Sequence, residues 1–172
     1  MSKFLEMEIK GADVARGRGY YVKEAGVRLN QALINFALDF LEERGYTPLK
    51  TPFFVRNDIM AKYAQLAQFV EELCLVSLVT GDGDEKYLIS TVEHSLCADQ
   101  SKDHIPPSQL PLKYAGYLAC FHIEAGSHGH DTLGIFRVHQ FAKVVLFCLT
   151  SLDRNDSYYM HEEMIKTLEQ FF

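Results

Sequence analysis

Apolar residues recur at helical spacing in two long segments of the chain. In the first segment they return every three or four positions, which predicts an amphipathic helix of roughly four turns. The residues of this stripe are Leu29, Ala32, Leu33, Phe36, Ala37, Phe40 and Leu41. Gly45 follows at the position where a left-handed C-terminal cap ends a helix. A second helix is predicted near the C-terminus, where Asp153 offers an N-cap. Its stripe is Met160, Met164, Ile165, Leu168 and Phe171.

Shorter segments rich in β-branched and aromatic residues predict strands. Residues 46–52 contain Pro48 and Pro52, which do not both fit the hydrogen-bond ladder of a central strand. This segment is therefore predicted to be an edge or interface strand. Residues 73–80 and 86–91 lie on either side of a Gly-Asp-Gly-Asp segment and predict a hairpin.

The second half of the chain repeats this pattern. Residues 117–124 and 134–141 predict two antiparallel strands around a long glycine-containing loop, and 144–149 continues the sheet. Helices are predicted to begin at Asn57, extending to residue 68, and near Glu93, closed by two prolines at 106 and 107. The alternation of single helices with hairpins predicts an α+β fold around an antiparallel sheet.

Composition and charge narrow the class of protein. The 172 residues are 48% hydrophobic and 23% charged, which excludes general disorder and predicts one globular domain. With 17 basic and 23 acidic residues the net charge is −6, so the chain lacks the charge of a stand-alone nucleic-acid-binding protein and no DNA partner is expected. No signal peptide or membrane span is recognised, and four scattered cysteines predict reduced thiols in the cytoplasm.

Three segments together resemble the seryl-tRNA synthetase family, in particular its eukaryotic cytosolic branch. They are residues 44–54 (RGYTPLKTPFF), 85–93 (EKYLISTVE) and 120–141 (CFHIEAGSHGHDTLGIFRVHQF). The first is similar to motif 1 of class II synthetases, the second to a serine-binding Thr-x-Glu element, and the third to motif 2 with its serine-specific loop. The resemblance runs from about Arg18 onward.

The resemblance implies a class II aminoacyl-tRNA synthetase-like antiparallel sheet flanked by helices. In the family this fold activates serine with ATP and passes the seryl group to tRNA. It implies that Glu124 faces the adenine amino group, that Phe141 stacks on the adenine, and that Arg137 meets the triphosphate. Thr91 and Glu93 are implied to line the serine pocket, where a carboxylate pairs with the substrate ammonium.

The same resemblance implies a dimer. Motif 1 builds the dimer interface in the family, which assigns Arg44, Tyr46 and Pro52 to that surface. The resemblance implies ATP with magnesium as the nucleotide of the family's site. For this chain itself no cofactor is predicted. The short His128, His130 and Asp131 cluster is interpreted as loop hydrogen bonding, so no metal site is predicted.

Two departures lie inside the motifs that remain. His122 stands where motif 2 of the family has an arginine that bridges the α-phosphate and the amino-acid carboxylate. Losing one such preorganised contact costs about 3 kcal/mol of transition-state stabilisation. Val145 stands where the family has a carboxylate that holds serine. His130 and Leu133 stand at loop positions that are usually arginines in the family, which weakens the contacts expected with ATP or with the acceptor end of tRNA.

The resemblance implies two parts of the chain. Residues 1–19 are expected to form an N-terminal entry arm, and residues 20–172 are expected to form a partial class II synthetase catalytic domain. Motifs 1 and 2 are recognised, whereas motif 3 and the coiled-coil arm that grips tRNA in the family are not.

We therefore predict a non-catalytic paralogue that acts as a structural, regulatory or assembly partner, as a homodimer or paired with a synthetase-like chain. Two alternatives stay open. One is the trimmed catalytic core of a working serine–tRNA ligase, and the other is a sensor that binds an adenine nucleotide without turning it over.

Overall fold

The computed structural model describes Val14 and residues 19–63, 75–76, 86–100, 104–122 and 138–172. The elements, in chain order, are α1 (Ala25–Glu42), β1 (Thr47–Lys50), β2 (Phe54–Arg56), α2 (Asn57–Tyr63), β3 (Leu75–Val76), β4 (Lys86–Leu88), α3 (Val92–Asp99), a 3-10 turn (Pro107–Gln109), β5 (Leu112–Phe121), β6 (Gln140–Leu149) and α4 (Arg154–Phe171). This content confirms the predicted α+β class. None of the helices in the described part of the chain is long and apolar enough to cross a membrane.

The first helix ends as the sequence predicts. Gly45 has φ +81°, a conformation that glycine adopts without the steric cost borne by other residues. The Gly45 N–H donates to the carbonyl of Glu42 at 2.9 Å, and the Tyr46 N–H donates to the carbonyl of Leu41 at 3.1 Å. This pair of bonds is a Schellman motif, which satisfies two carbonyls at the helix end and directs the chain into β1.

Two small sheets form the framework. In the larger one the order is β1-β5-β6, with β1 parallel to β5 and β5 antiparallel to β6. Among the described strands β1 lies at an edge, which confirms the inference from its prolines. In the smaller sheet the order is β2-β4-β3, with both pairs antiparallel. The antiparallel pairing of β3 with β4 is the pairing that the predicted hairpin requires, and the predicted turn between them lies outside the described residues.

The bounds of the two long strands differ from the prediction. Residues 134–141 and 144–149 were expected as separate strands, but Gln140–Leu149 is one continuous strand. Nothing between 141 and 144 is a turn former, so the ladder with β5 continues without a break. β5 itself begins at Leu112 rather than at residue 117, because its first residues pair with the end of β6.

The larger sheet buries apolar side chains on both faces. One face packs against α3 and the smaller sheet. The buried cluster on this side, formed by the face and the elements that cover it, consists of Val55, Met60, Tyr87, Ile89, Val92, Leu96, Leu118, Cys120 and Val145. The opposite face packs beneath α1; its residues are Leu41, Tyr46 and Ala115, with Leu38, Phe40, Val144, Leu146 and Cys148 beside them. The alternation of side chains along β6 therefore decides which residues meet α3.

The last helix is capped as predicted, but its apolar stripe is only partly covered. The Asp153 side chain accepts a hydrogen bond from the Asn155 N–H at 2.9 Å. Met160 is buried, whereas Ile165 and Leu168 remain 39% and 43% exposed. At the end of the stripe the Phe171 ring packs against the rings of Phe36 and Phe40, at centre-to-centre distances of 5.5 and 5.3 Å, so only part of the stripe is left as an apolar surface.

Candidate functional site

The first turn of α3 and one face of β6 bring the candidate serine-site residues together. Phe141 and Val145 pack on the α3 side of the sheet. Lys143, which lies between them with the same two-residue spacing, reaches that side as well. Its ammonium donates to the Thr91 hydroxyl at 2.8 Å and to the Glu93 carboxylate at 3.0 Å. The predicted pair Thr91 and Glu93 is therefore placed beside β6.

Glu93 is held in its ionised form. Burial raises the pKa of its carboxyl, but hydrogen bonds from Thr91 and Lys143 outweigh burial and lower that pKa below the ordinary value. The Thr91 hydroxyl also donates to Glu93, so both carboxylate oxygens are engaged. The Lys143 and Glu93 side chains are 35% and 40% exposed. The negative charge expected to meet a substrate ammonium is thus neutralised by a lysine of the same chain.

Val145 lies in a closed apolar contact. Its side chain is 7% exposed and belongs to the buried cluster with Val92 and Leu96. Gly116 lies opposite Val145 on β5, and a Cβ built on Gly116 would lie 2.8 Å from Val92 Cγ1 and 3.2 Å from Val145 Cγ2. The absence of a side chain at position 116 therefore lets α3 pack directly onto the sheet. The position that the sequence resemblance assigned to a serine-binding carboxylate is thus occupied by a buried core residue.

His122 follows the last residue of β5. Its N–H donates to the carbonyl of His139 at 3.0 Å, and Nδ1 of His139 lies 3.0 Å from the carbonyl oxygen of His122. These contacts anchor the backbone at the mouth of the β5–β6 pair. The backbone at the predicted motif 2 position is thus well fixed, while the side chain is an imidazole in place of a guanidinium fork.

Three further titratable groups lie on α3 or next to it: His94 and Cys97 belong to the helix, and Cys120 belongs to β5. Burial lowers the pKa of His94, whose neutral imidazole is favoured, and burial raises the pKa of the Cys97 and Cys120 thiols. Glu93 adds to the rise at both thiols. All three groups are therefore uncharged at neutral pH, and Glu93 and Lys143 are the charges that determine the field beside them.

The sequence interpretation missed Lys143. Its signal was present, because Lys143 precedes Val145 by two residues and a strand places such residues on one face. Lys143 turns out to bind the two residues that were assigned to serine.

The residues assigned to a dimer surface lie in different surroundings. Arg44 is engaged within the chain: its guanidinium lies 3.4 Å from the centre of the Phe40 ring and donates to the Gln170 side chain at 3.3 Å. Tyr46 is 2% exposed, so its ring packs in the core and has no surface to offer a second chain. Burial, with Cys148 nearby, raises the pKa of its phenol. Pro52 is exposed.

Several predicted residues lie outside the described residues. They are Glu124, Arg137, His128, His130, Asp131 and Leu133. Phe141 is described, in β6 opposite Cys120. Within the described part of the chain no group of three or more His, Cys, Asp or Glu side chains is arranged to hold a metal ion.

Comparisons with known proteins place this arrangement in a family. The family profile described as tRNA synthetase class II core domain (G, H, P, S and T) matches residues 77–172. The chain belongs to this class II synthetase core-domain family, as its mixed sheet flanked by helices leads one to expect.

Within the family the chain is similar to serine–tRNA ligases. It is 68% identical to the serine–tRNA ligase of Helianthus annuus and 57% identical to the cytoplasmic serine–tRNA ligase of Arabidopsis thaliana, in each case over 95% of this chain and 36% of the relative. A crystal structure of the cytoplasmic serine–tRNA ligase of Naegleria fowleri with AMP superposes with a TM-score of 0.88 at 48% identity, over 95% of this chain and 37% of that one. The chain thus spans about a third of the length of these relatives.

Proposed function

We propose that this chain does not activate serine and that it acts as a dimeric structural or assembly partner, pairing with itself or with a synthetase-like chain. The observation that carries the proposal is the closed apolar contact of Val145 with Val92 and Leu96. A carboxylate is needed at this position by the family's serine site, and a buried valine supplies no hydrogen-bond acceptor.

The state of Glu93 supports the same conclusion. Lys143 already provides an ammonium to Glu93 and Thr91, so an incoming serine ammonium must displace it. Displacement leaves Lys143 without its partner in a half-buried site, and this cost is subtracted from the affinity for serine. His122 removes a further contact, because an imidazole lacks the two-pronged donation of an arginine.

The exposed apolar face of α1 supports the proposal of a dimer, because it offers a surface for a second chain. Leu29, Leu33 and Phe36 recur on it at four- and three-residue steps and are 54%, 56% and 56% exposed. Exposed apolar residues concentrated on one helix are typical of a protein–protein interface. Three residues of motif 1 were assigned to the dimer surface. Pro52 stays in the proposed interface, whereas Arg44 orients the end of α1 and Tyr46 supports that end of the helix from within the core.

The alternative function is the catalytic core of a working serine–tRNA ligase. The 68% identity to a serine–tRNA ligase and the retained Thr91 and Glu93 favour it. Under this alternative Glu124, Phe141 and Arg137 bind ATP with magnesium, the chain acts on tRNA, and Lys143 moves when serine enters. We also propose residues 1–19 as an arm, 20–172 as the domain, and the cytoplasm as the location, the last because the Arabidopsis relative is described as cytoplasmic.

Binding of a non-hydrolysable seryl-adenylate analogue, seryl-sulfamoyl adenosine, tests the catalytic part of the proposal. Isothermal titration of the chain is expected to show no serine-dependent gain over the sulfamoyl adenosine lacking serine. The His122→Arg/Val145→Glu variant supplies the matched comparison. A clear gain from the seryl group in the unaltered chain would support the ligase alternative instead.

Light scattering tests the proposed dimer separately from the proposed loss of catalysis, because it measures the oligomeric state of the chain. The chain is expected to be dimeric, and Leu33→Glu/Phe36→Glu is expected to be monomeric because two charges enter the apolar face of α1. Leu152→Glu is the control, since Leu152 is fully exposed before α4. A monomeric unaltered chain that also captures no synthetase-like chain would contradict this part.

A further inference from the structure

Val92 lies directly above Gly116, where the first turn of α3 meets the larger sheet. Its side chain is 0% exposed and belongs to the buried cluster that also contains Val145. Three atoms bound the space over Gly116. They are Val92 Cγ1, Leu96 Cδ1 and Val145 Cγ2, which lie 2.8, 2.9 and 3.2 Å from the position that a Cβ of residue 116 would take. Two valines from different elements therefore fill the same small volume.

This volume adjoins the residues that were assigned to serine. Val92 stands between Thr91 and Glu93 in the chain, and both of those side chains accept a hydrogen bond from Lys143. Lys143 and Val145 lie two residues apart on the same face of β6, about 7 Å along the strand. A carboxylate at position 145 would therefore point into the volume that Val92 occupies. The ammonium group that such a carboxylate binds would need part of the same space.

A carboxylate at position 145 alone leaves this volume closed. A glutamate side chain is longer than valine, so it meets the methyl groups of Val92, and its charge enters a region without water. The ionisable side chains on the surrounding elements are Glu93, His94, Cys120 and Lys143. Burial lowers the pKa of the imidazole and raises the pKa of the thiol, so both are neutral, and the ammonium is already paired with the Glu93 carboxylate. None of these groups is free to neutralise a second carboxylate.

We propose that Val92 is a second determinant of the closed serine site: together with Val145 it fills the space in which a carboxylate and a substrate ammonium would meet. The inference rests on the proposed loss of serine activation, and it adds a residue to which the sequence resemblance assigned no role. Val92 acts through position 145 and is therefore a positioning residue. Its two methyl groups occupy a volume comparable with the about 30 Å³ of one water molecule. A smaller residue at position 92 is thus required, together with a carboxylate at position 145, to form an ammonium site.

Melting curves of the full chain and its variants test the steric part of this proposal. At pH 7, Val92→Ala alone should lower the melting temperature by about 6 °C, and Val145→Glu alone should lower it by about 10 °C. In the Val145→Glu chain, the same Val92→Ala change should instead raise the melting temperature by about 3 °C, because it makes room for the carboxylate and for water. The effect of Val92→Ala therefore changes sign.

The pH dependence separates this role from simple packing. An enclosed carboxyl group has a raised pKa, so its destabilising charge is present at pH 7 and is lost as the pH falls through that raised pKa. The deficit in melting temperature of Val145→Glu, measured against the unaltered chain at each pH, should therefore shrink between pH 7 and pH 4. Val92→Ala should reduce this pH dependence, because the carboxylate is then hydrated.

Val55→Ala is the matched control, because Val55 belongs to the same buried cluster but lies on β2 of the smaller sheet. It should lower the melting temperature equally with and without Val145→Glu. Val145→Gln has the size of glutamate without the charge, and it keeps the test readable if Val145→Glu does not fold. Val92→Ala should raise the melting temperature of Val145→Gln as well. Equal losses from Val92→Ala in the unaltered chain and in these variants would overturn the proposal.

Binding of seryl-sulfamoyl adenosine tests the ammonium part. The affinity gained from the seryl group, relative to sulfamoyl adenosine, should be larger by about tenfold or more in His122→Arg/Val145→Glu/Val92→Ala than in His122→Arg/Val145→Glu. Val55→Ala in place of Val92→Ala should give no such increase. Equal seryl gains with and without Val92→Ala, including no gain in either, would overturn this inference and leave the proposed function standing. A seryl gain in the unaltered chain would contradict the proposed function, and this inference with it.

Discussion

Substitution of Gly116 by alanine tests whether α3 closes over the sheet at the candidate serine site. The added Cβ would lie 2.8 Å from Val92 Cγ1, 2.9 Å from Leu96 Cδ1 and 3.2 Å from Val145 Cγ2. The first two distances are shorter than side-chain contacts normally allow, and all three groups belong to the buried core. Overpacking of this kind costs about 2 kcal/mol of the free energy of unfolding, or about 6 °C in melting temperature for a domain of this size.

The contact partner can be changed independently. Val92→Ala alone removes two buried methyl groups at about 0.8 kcal/mol each and leaves a small cavity, so it costs about 2 kcal/mol. In Gly116→Ala/Val92→Ala the new methyl group enters the space that Val92 vacates. The double variant should therefore cost about 2.5 kcal/mol instead of the additive 4, which is a coupling of about 1.5 kcal/mol.

Urea unfolding followed by circular dichroism measures all four free energies. Equal slopes against urea concentration across the series show that only stability has changed. A Gly116→Ala variant as stable as the unaltered chain, or costs that simply add in the double variant, would show that α3 does not press on the sheet at this position. The space above Gly116 would then be open, and the interpretation of Val145 as a sealed core residue would fail with it.

Three smaller predictions follow from individual contacts. Lys143→Met should lower stability at pH 7 by about 0.5 kcal/mol, a small value because both partners are more than a third exposed. Lys143 helps to lower the pKa of Glu93 in the folded protein, so the loss of stability in the variant should be present above the ordinary glutamate pKa. It should disappear as the pH falls through the lowered pKa of Glu93, and melting curves from pH 7 to pH 3 measure this change. Gly45→Ala should cost about 1 kcal/mol by urea unfolding because φ is +81° there. Arg44→Ala should cost about 1 kcal/mol by the same measurement, through its lost contacts with Phe40 and Gln170.

The fold was largely predictable because local signals agreed with it. Gly45 marked the end of α1 and Asp153 the start of α4, and both caps have the expected hydrogen bonds. The prolines of residues 46–52 placed that strand at an edge. These features depend on neighbours within a few residues, which the sequence displays directly.

The strand bounds were harder to predict because pairing between distant segments decides them. The start of β5 at Leu112 depends on Leu149, which lies 37 residues later in the chain. Periodicity within the first segment carries no information about that partner. The same limit explains why a continuous β6 was divided into two strands.

The candidate site was predictable only in part. Resemblance identified Thr91, Glu93 and Val145, and the structure brings them to one side of the sheet. The bond from Lys143 to Glu93 spans 50 residues and depends on the packing of α3 against β6. The burial of Tyr46 likewise follows from tertiary packing, which a motif does not reveal.

Serine-dependent exchange of pyrophosphate into ATP measures whether this chain activates serine, which we propose it does not. The unaltered chain is expected to show no exchange above a protein-free control, while a full-length serine–tRNA ligase in the same assay is active. Partial exchange by His122→Arg/Val145→Glu would locate the loss at those two positions. Serine-dependent exchange by the unaltered chain would contradict the account and identify the chain as a working synthetase core.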